Sequence, residues 1–252
     1  MRPLMIRAAR DVLFPICLLA ACSAGSSGPP ATPTPRPSAR SVSATPHGRP
    51  LEIGEPRKPQ PFTLDQRLLD AASRADRKTI ERALGHGASI NTKDDIGRNA
   101  LLLAVLDAHD LELVRWLHSK GAALDEPDNG GRTALSFAAE NGLLDIARYL
   151  IDNGAAVDRA DVQRKTPLLH AALGDHREVA ELLLDRKADV NGRDQFGDTA
   201  LIVACAKGYG DMATLLLRHG ADPALKDQEG RTAKERAAAG TDACLSTAPK
   251  AP

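Results

Sequence analysis

The residues of this 252-residue chain that can carry chemistry are seven histidines, four cysteines and a recurrent set of aspartates. Histidine and carboxylate side chains serve as bases or metal ligands only when the fold makes them converge. His47, His86, His109, His118, His170, His176 and His219 form no H-E-x-x-H pattern and no pair of ligands four apart on one helix. Several fall at turns or outer-helix ends and read as solvated. His170 falls on an inner helix and reads as a satisfied, partly buried histidine rather than a base. Ser136 has no nucleophile-elbow context, and neither a phosphate-cradling glycine loop nor a dinucleotide fingerprint is present. The Asp-rich stretches Asp94-Asp95, Asp125 to Asp128, Asp158 to Asp161 and Asp189 to Asp194 lack the glycine spacing and closing Glu of a calcium loop. Carboxylates bonding their own backbone in turns account for them. The expectation is no catalytic residue, no metal and no cofactor.

Composition narrows the partners. Lys plus Arg and Asp plus Glu each number 33, so the basic excess that phosphate binding requires is missing and nucleic acid is not expected. Aromatics make up 3% of the chain, which disfavours β-sandwiches and base-stacking platforms. No stretch approaches the 18 or so apolar residues of a membrane-spanning helix.

Residues 1–21 place Arg2, Arg7 and Arg10 before a short apolar run from Val12 to Ala21, the pattern of a secretory signal. Its end, Leu19-Ala20-Ala21-Cys22, resembles the lipid-attachment box of bacterial lipoproteins. The resemblance implies a lipidated Cys22 and anchoring to a membrane of the envelope. Ser23 after the cysteine implies sorting to the outer membrane, with the chain facing the periplasm. An ordinary cleaved signal with a coincidental cysteine and an uncleaved anchor are the alternatives. From Ser23 to Pro61 the chain carries ten prolines, five Lys/Arg and two acids, a composition that cannot bury a core. Residues 22–61 are therefore expected to form a disordered tether, with a span of about 35 Å as a coil and about 120 Å fully extended.

Beyond it the sequence repeats. Gly131-Arg132-Thr133-Ala134-Leu135, Arg164-Lys165-Thr166-Pro167-Leu168, Gly197-Asp198-Thr199-Ala200-Leu201 and Gly230-Arg231-Thr232-Ala233-Lys234 recur every 33 residues, and Gly97-Arg98-Asn99-Ala100-Leu101 lies 34 before the first. Small pairs such as Ala138-Ala139 and Ala171-Ala172 keep the same step, as do Gly121-Ala122, Gly154-Ala155, Lys187-Ala188 and Gly220-Ala221. Each unit reads as a turn and two antiparallel helices: a Thr caps the first, the small pair lets the neighbouring repeat approach, and a glycine closes the second. One helix pair cannot bury both faces, so the units must stack. The extra residue of the second unit is expected in the turn Asp107-Ala108-His109-Asp110. Lys187, standing where the other units have Gly, is expected to strain the backbone if the left-handed geometry persists.

These residues resemble the ankyrin repeat, G-x-T-P-L-H-x-A-A followed by an outer helix and G-A-D-V-N, with Ala188-Asp189-Val190-Asn191 close to its final part. The resemblance implies an all-α solenoid of stacked helix-turn-helix units with hairpin-like turns over residues 62–245. Units run over about 63–94, 95–128, 129–161, 162–194 and 195–227, with a cap at 228–245 and a disordered tail at 246–252. The fourth place of the T-P-L-H box holds Leu102, Ser136, Leu169 and Ile202, so the family's histidine bonds are missing there.

Ankyrin domains bind proteins through hairpin tips and the inner-helix face. By resemblance these are Asp95, Ile96, Arg98, Leu106 and Asp107 in the second unit, and Asn129, Gly130, Arg132, Glu140 and Asn141 in the third. The fourth supplies Val162, Gln163, Lys165 and Leu173, and the fifth Gln195, Phe196, Asp198, Ala206 and Lys207. Ile96, Val162 and Phe196 are expected at tips in register, as apolar anchors ringed by charge. Residues 62–252 hold 25 Lys/Arg against 30 Asp/Glu, a slight preference for a cationic partner. In an oxidising periplasm Cys205 and Cys244 are candidates for a disulfide. The expected function is a monomeric, non-catalytic module at the bacterial envelope that binds another protein. Immunity against a secreted toxin or hydrolase and assistance to a periplasmic oxidative-stress enzyme are its sharper versions, and an enzyme or cell-wall receptor is the alternative of a different class.

Overall fold

The structure, a computed structural model, describes residues 62–237. The signal, Cys22, the tether, Cys244 and the tail lie outside the described residues. Eleven α-helices and one π turn lie within them. They pair as α1 (Leu64–Ser73) with α2 (Arg77–Gly85), α3 (Ala100–Leu103) with α4 (Leu111–Ser119), α5 (Ala134–Glu140) with α6 (Leu144–Asp152), α7 (Pro167–Leu173) with α8 (Arg177–Asp185), and α9 (Ala200–Lys207) with α10 (Gly210–Arg218). A last inner helix, α11 (Ala233–Arg236), follows.

Each inner helix begins where a side-chain oxygen satisfies an orphan backbone donor. Thr63, Thr133, Thr166, Thr199 and Thr232 accept from the amide three residues on, and Pro167 occupies the first helical turn of α7. Asn99 performs the same task in α3, its Oδ1 lying 2.8 Å from the Leu102 amide. The outer helices end through Gly87, Gly121, Gly154 and Gly220, all at positive φ, after which the following alanine amide bonds a carbonyl five residues back. Lys187 takes this position in the fourth unit with φ +69°. A Cβ at the four equivalent glycines would meet no atom within 4 Å, so the lysine bears backbone strain without a clash. Lys187→Gly should therefore raise stability by about 0.5–1 kcal/mol, since relief of the left-handed strain exceeds the entropy that glycine adds to the unfolded chain. A urea titration checks this.

The inner helices stack in the order α1, α3, α5, α7, α9, α11, and the outer helices α4, α6, α8 and α10 stack behind them. The small pairs Ala138-Ala139, Ala171-Ala172 and Ala204-Cys205 are fully buried between inner helices. In the outer row, Val114 and Leu117, Ala147 and Leu150, Ala180 and Leu183, and Ala213 and Leu216 repeat one buried pattern. Side chains of one unit reach the backbone of the next: Asn91 Oδ1 accepts from Ala123 N at 3.0 Å, and Asn191 Oδ1 from Asp222 N at 2.9 Å. Trp116 is buried on α4, with the Arg77 guanidinium 4.7 Å from its ring, in keeping with a packing role.

The extra residue of the second unit is not accommodated in the loop as expected. It is absorbed one turn earlier, where α3 widens into a π turn over Ala104–Ala108, and His109 closes it at φ +52°. An insertion inside a helix keeps Ala104 and Val105 buried and transfers the irregularity to Leu106 and Asp107.

Candidate partner-binding face

Five hairpins link the units, and each is built on one aspartate. Asp94 Oδ1 accepts from the amides of Ile96 and Arg98, Asp128 Oδ1 from Arg132, Asp161 Oδ1 from Gln163 and Lys165, Asp194 Oδ1 from Phe196 and Asp198, and Asp227 Oδ1 from Glu229 and Arg231. The five hairpin aspartates thus bond their own turns, as the sequence implies, whereas Asp125 and Asp158 accept instead from Ala156 N and Asp189 N of the following unit. Among the described residues no group of three or more acidic, histidine or cysteine side chains is placed to hold a metal ion.

Neighbouring hairpins are joined edge to edge. Asn129 N donates to Ile96 O at 2.9 Å, Val162 N to Gly130 O at 3.0 Å, Gln195 N to Gln163 O at 2.8 Å and Gln228 N to Phe196 O at 2.9 Å. Close approach explains the tip glycines: a Cβ on Gly97 would lie 2.7 Å from Asn129 N, and one on Gly131 3.0 Å from Val162 N.

These bonds place the candidate residues in two columns. Asp95, Asn129, Val162 and Gln195 occupy the donating position of successive hairpins, and Ile96, Gly130, Gln163 and Phe196 the accepting one. The three apolar anchors are therefore not in register. Ile96 and Phe196 share a column, whereas Val162 stands one residue earlier: it follows Ile96 by 66 residues where the second and third units span 67, and precedes Phe196 by 34 where the fourth unit spans 33. All three are nevertheless exposed, at 53%, 70% and 56%. Behind them Arg98, Arg132, Lys165 and Asp198 are half-buried, Leu106, Leu173 and Ala206 are half-buried at the inner-helix ends, and Asp107, Glu140, Asn141 and Lys207 are exposed. None of the expected partner-binding residues is buried in the core.

Electrostatics along this face alternates. Burial pushes the Asp94 carboxyl up, but bonds from the Arg98 amide and guanidinium, with Nε at 2.8 Å, outweigh it and hold the group below its ordinary value. Burial likewise raises Asp227, and the hydrogen bonds and charge of Arg231 bring it below normal. Asp198 behaves in the opposite way: burial, together with the charges of Asp194 and Asp227, raises it despite Arg236 3.6 Å away.

One constellation was not anticipated. His170 is 5% exposed, and its Nε2 lies 3.1 Å from Oδ2 of Asp161, itself 9% exposed. At the Asp94 and Asp128 hairpins an arginine takes the corresponding carboxylate, and the inner helices after the Asp94, Asp128 and Asp194 hairpins carry Leu103, Phe137 and Val203 at the place of His170. In the last, Arg236 fills that place and binds Asp227 at 3.0 Å. The signal was available in the spacing, because Lys165 stands where Arg98, Arg132 and Arg231 stand elsewhere and leaves one carboxylate oxygen for the histidine.

A family model of ankyrin repeats, three copies, matches residues 68–161 and 157–227. No curated protein matches the chain.

Proposed function

The chain belongs to the ankyrin-repeat family, and from that premise we propose that it is a non-catalytic module that presents its hairpin tips and inner-helix ends to another protein at a bacterial envelope. Ankyrin repeats serve generally as protein–protein interaction modules. The observation that carries the reading here is the row of Ile96, Val162 and Phe196, large apolar side chains left in water on hairpins whose backbones are bonded from unit to unit. Buried apolar anchors within a polar rim are the usual energetic centre of an interface.

The test is cross-linking in living cells followed by mass spectrometry, comparing the native chain with the triple variant Ile96→Asp, Val162→Asp, Phe196→Asp. These side chains support no core, so the variant should fold. One envelope or secreted protein captured by the native chain and lost from the variant is the expected result. A captured toxin or hydrolase would make the chain an inhibitor, and a peroxide-defence enzyme would make it an accessory to stress protection. Equal capture by both forms would overturn the assignment of this face.

We place the module on a lipid attached to Cys22, with residues 23–61 as a leash that raises its local concentration near the membrane. The Leu19-Ala20-Ala21-Cys22 box supports this, and Cys22→Ser should move the protein from the membrane fraction to the soluble fraction. We further pair Cys205 with Cys244. What supports it is that Cys205 is disulfide-bonded, that α9 packs against α11, and that Cys244 follows α11 by eight residues. Non-reducing peptide mapping should find the two cysteines in one linked peptide, and separate free thiols would contradict the pairing.

A further inference from the structure

Between the hairpins of Asp128 and Asp161 the face opens into a cleft of about 310 Å³. It is lined by the aliphatic Val162 and Leu173, by the more exposed Arg132, Glu140 and Lys165, and by the buried His170 and Asp161. The histidine side chain is 6% exposed. A carboxylate only accepts, so the bond to Asp161 puts the imidazole proton on Nε2. Nδ1 is then a lone-pair acceptor, and it has no hydrogen-bond partner among the described residues. Burial holds the ring below its ordinary pKa, against Glu140 from α5 and Asp161 from the hairpin, with Lys165 adding to the lowering. The ring is neutral at neutral pH.

The cleft thus combines an imidazole with an unused acceptor and two aliphatic side chains in its lining. Its charges oppose one another: Arg132 is 3.4 Å from both Asp128 and Glu140, and Lys165 balances Asp161. A cation entering would lose hydration without a net attractive field, and an aliphatic side chain would leave Nδ1 dry and unbonded. A neutral donor on an apolar body suits both features, and a phenol is such a group. Resting on the reading of this face as a protein-binding surface, we propose that the cleft is the specificity pocket for a partner's tyrosine, its ring between Val162 and Leu173 and its hydroxyl donating to His170 Nδ1.

Side-chain analogues test the pocket without the partner. The full chain is titrated with p-cresol, toluene and n-butylamine while the imidazole nitrogen resonances of His170 are followed by NMR. The expected result is that p-cresol shifts the Nδ1 resonance and binds about fivefold or more tightly than toluene, the margin of one hydrogen bond in a sheltered site. His170→Phe, which keeps a ring but removes the acceptor, should erase the preference for p-cresol. Because the decisive shift is read on the native protein, a failure of that variant to fold leaves the test intact. Toluene binding equally well, n-butylamine binding better, or an unmoved Nδ1 resonance would each overturn the tyrosine pocket. A negative result with the analogues alongside partner capture lost in the triple tip variant would sink the pocket alone, and the reverse pattern the wider face alone.

Discussion

Phe137→Ala is expected to lower the stability of the repeat domain by about 3–5 kcal/mol, the usual cost of removing a large buried aromatic side chain. Phe137 is 1% exposed and belongs to the largest fully buried side chains among the described residues. Its ring also carries the Arg132 guanidinium at 4.2 Å, so the substitution loosens the hairpin preceding α5 as well as the core. Position makes the effect more than a number. In a solenoid each repeat is held only by its neighbours, and α5 packs on α7 on one side and on α3 and the π turn on the other. A weak link there should let the two ends unfold separately. The chain's single tryptophan, Trp116, reports the N-terminal side of the break, whereas far-ultraviolet circular dichroism reports all the helices. In the native protein the two signals should follow one urea transition, and in the variant they should part. One coincident transition at the native midpoint would show that the core does not depend on this ring.

Asp161→Ala should cost about 3 kcal/mol, because a carboxylate hydrogen bond contributes more than a neutral one and unsatisfied donors remain behind. Oδ1 holds the amides of Gln163 and Lys165 at 2.8 and 2.9 Å, and Oδ2 holds His170. The alanine variant leaves two amides and a buried imidazole without their acceptor. Asp161→Asn keeps Oδ1 and should cost only about 1 kcal/mol, since the amide can donate to His170 once the ring changes tautomer. Amide hydrogen exchange separates the variants: Gln163 and Lys165 should exchange much faster in the alanine form and nearly as in the native protein in the asparagine form. Equal exchange in all three would mean that the hairpin closes without its aspartate.

The repeat, its helices and their caps were legible because each is decided within a few residues. Thr133, Thr166, Thr199 and Thr232 cap the helices they precede, and the buried positions of the outer helices return with the period that the sequence displays. Short-range hydrogen bonds and a single buried face leave such a segment little choice. The exposure of Ile96, Val162 and Phe196 was also legible, since turn residues on a fixed period fall on one edge of the stack.

The remaining features depend on contacts between units. Whether one extra residue widens the loop or the helix is decided by which choice keeps Ala104 and Val105 against α1 and α5, and the helix yields. The offset of Val162 from Ile96 follows from that insertion, whereas its offset from Phe196 is a matter of which turn position carries the apolar residue, and only the bonds from hairpin to hairpin show which position donates and which accepts. His170 was legible as an inner-helix histidine, and its place in the lining of a cleft was not. The sequence by itself determined the period, the caps and the row of tips, because those are matters of local bonding and burial pattern. The tertiary structure decided where the insertion goes, how the tips align and that Asp161 holds His170, because each depends on how closely two units approach.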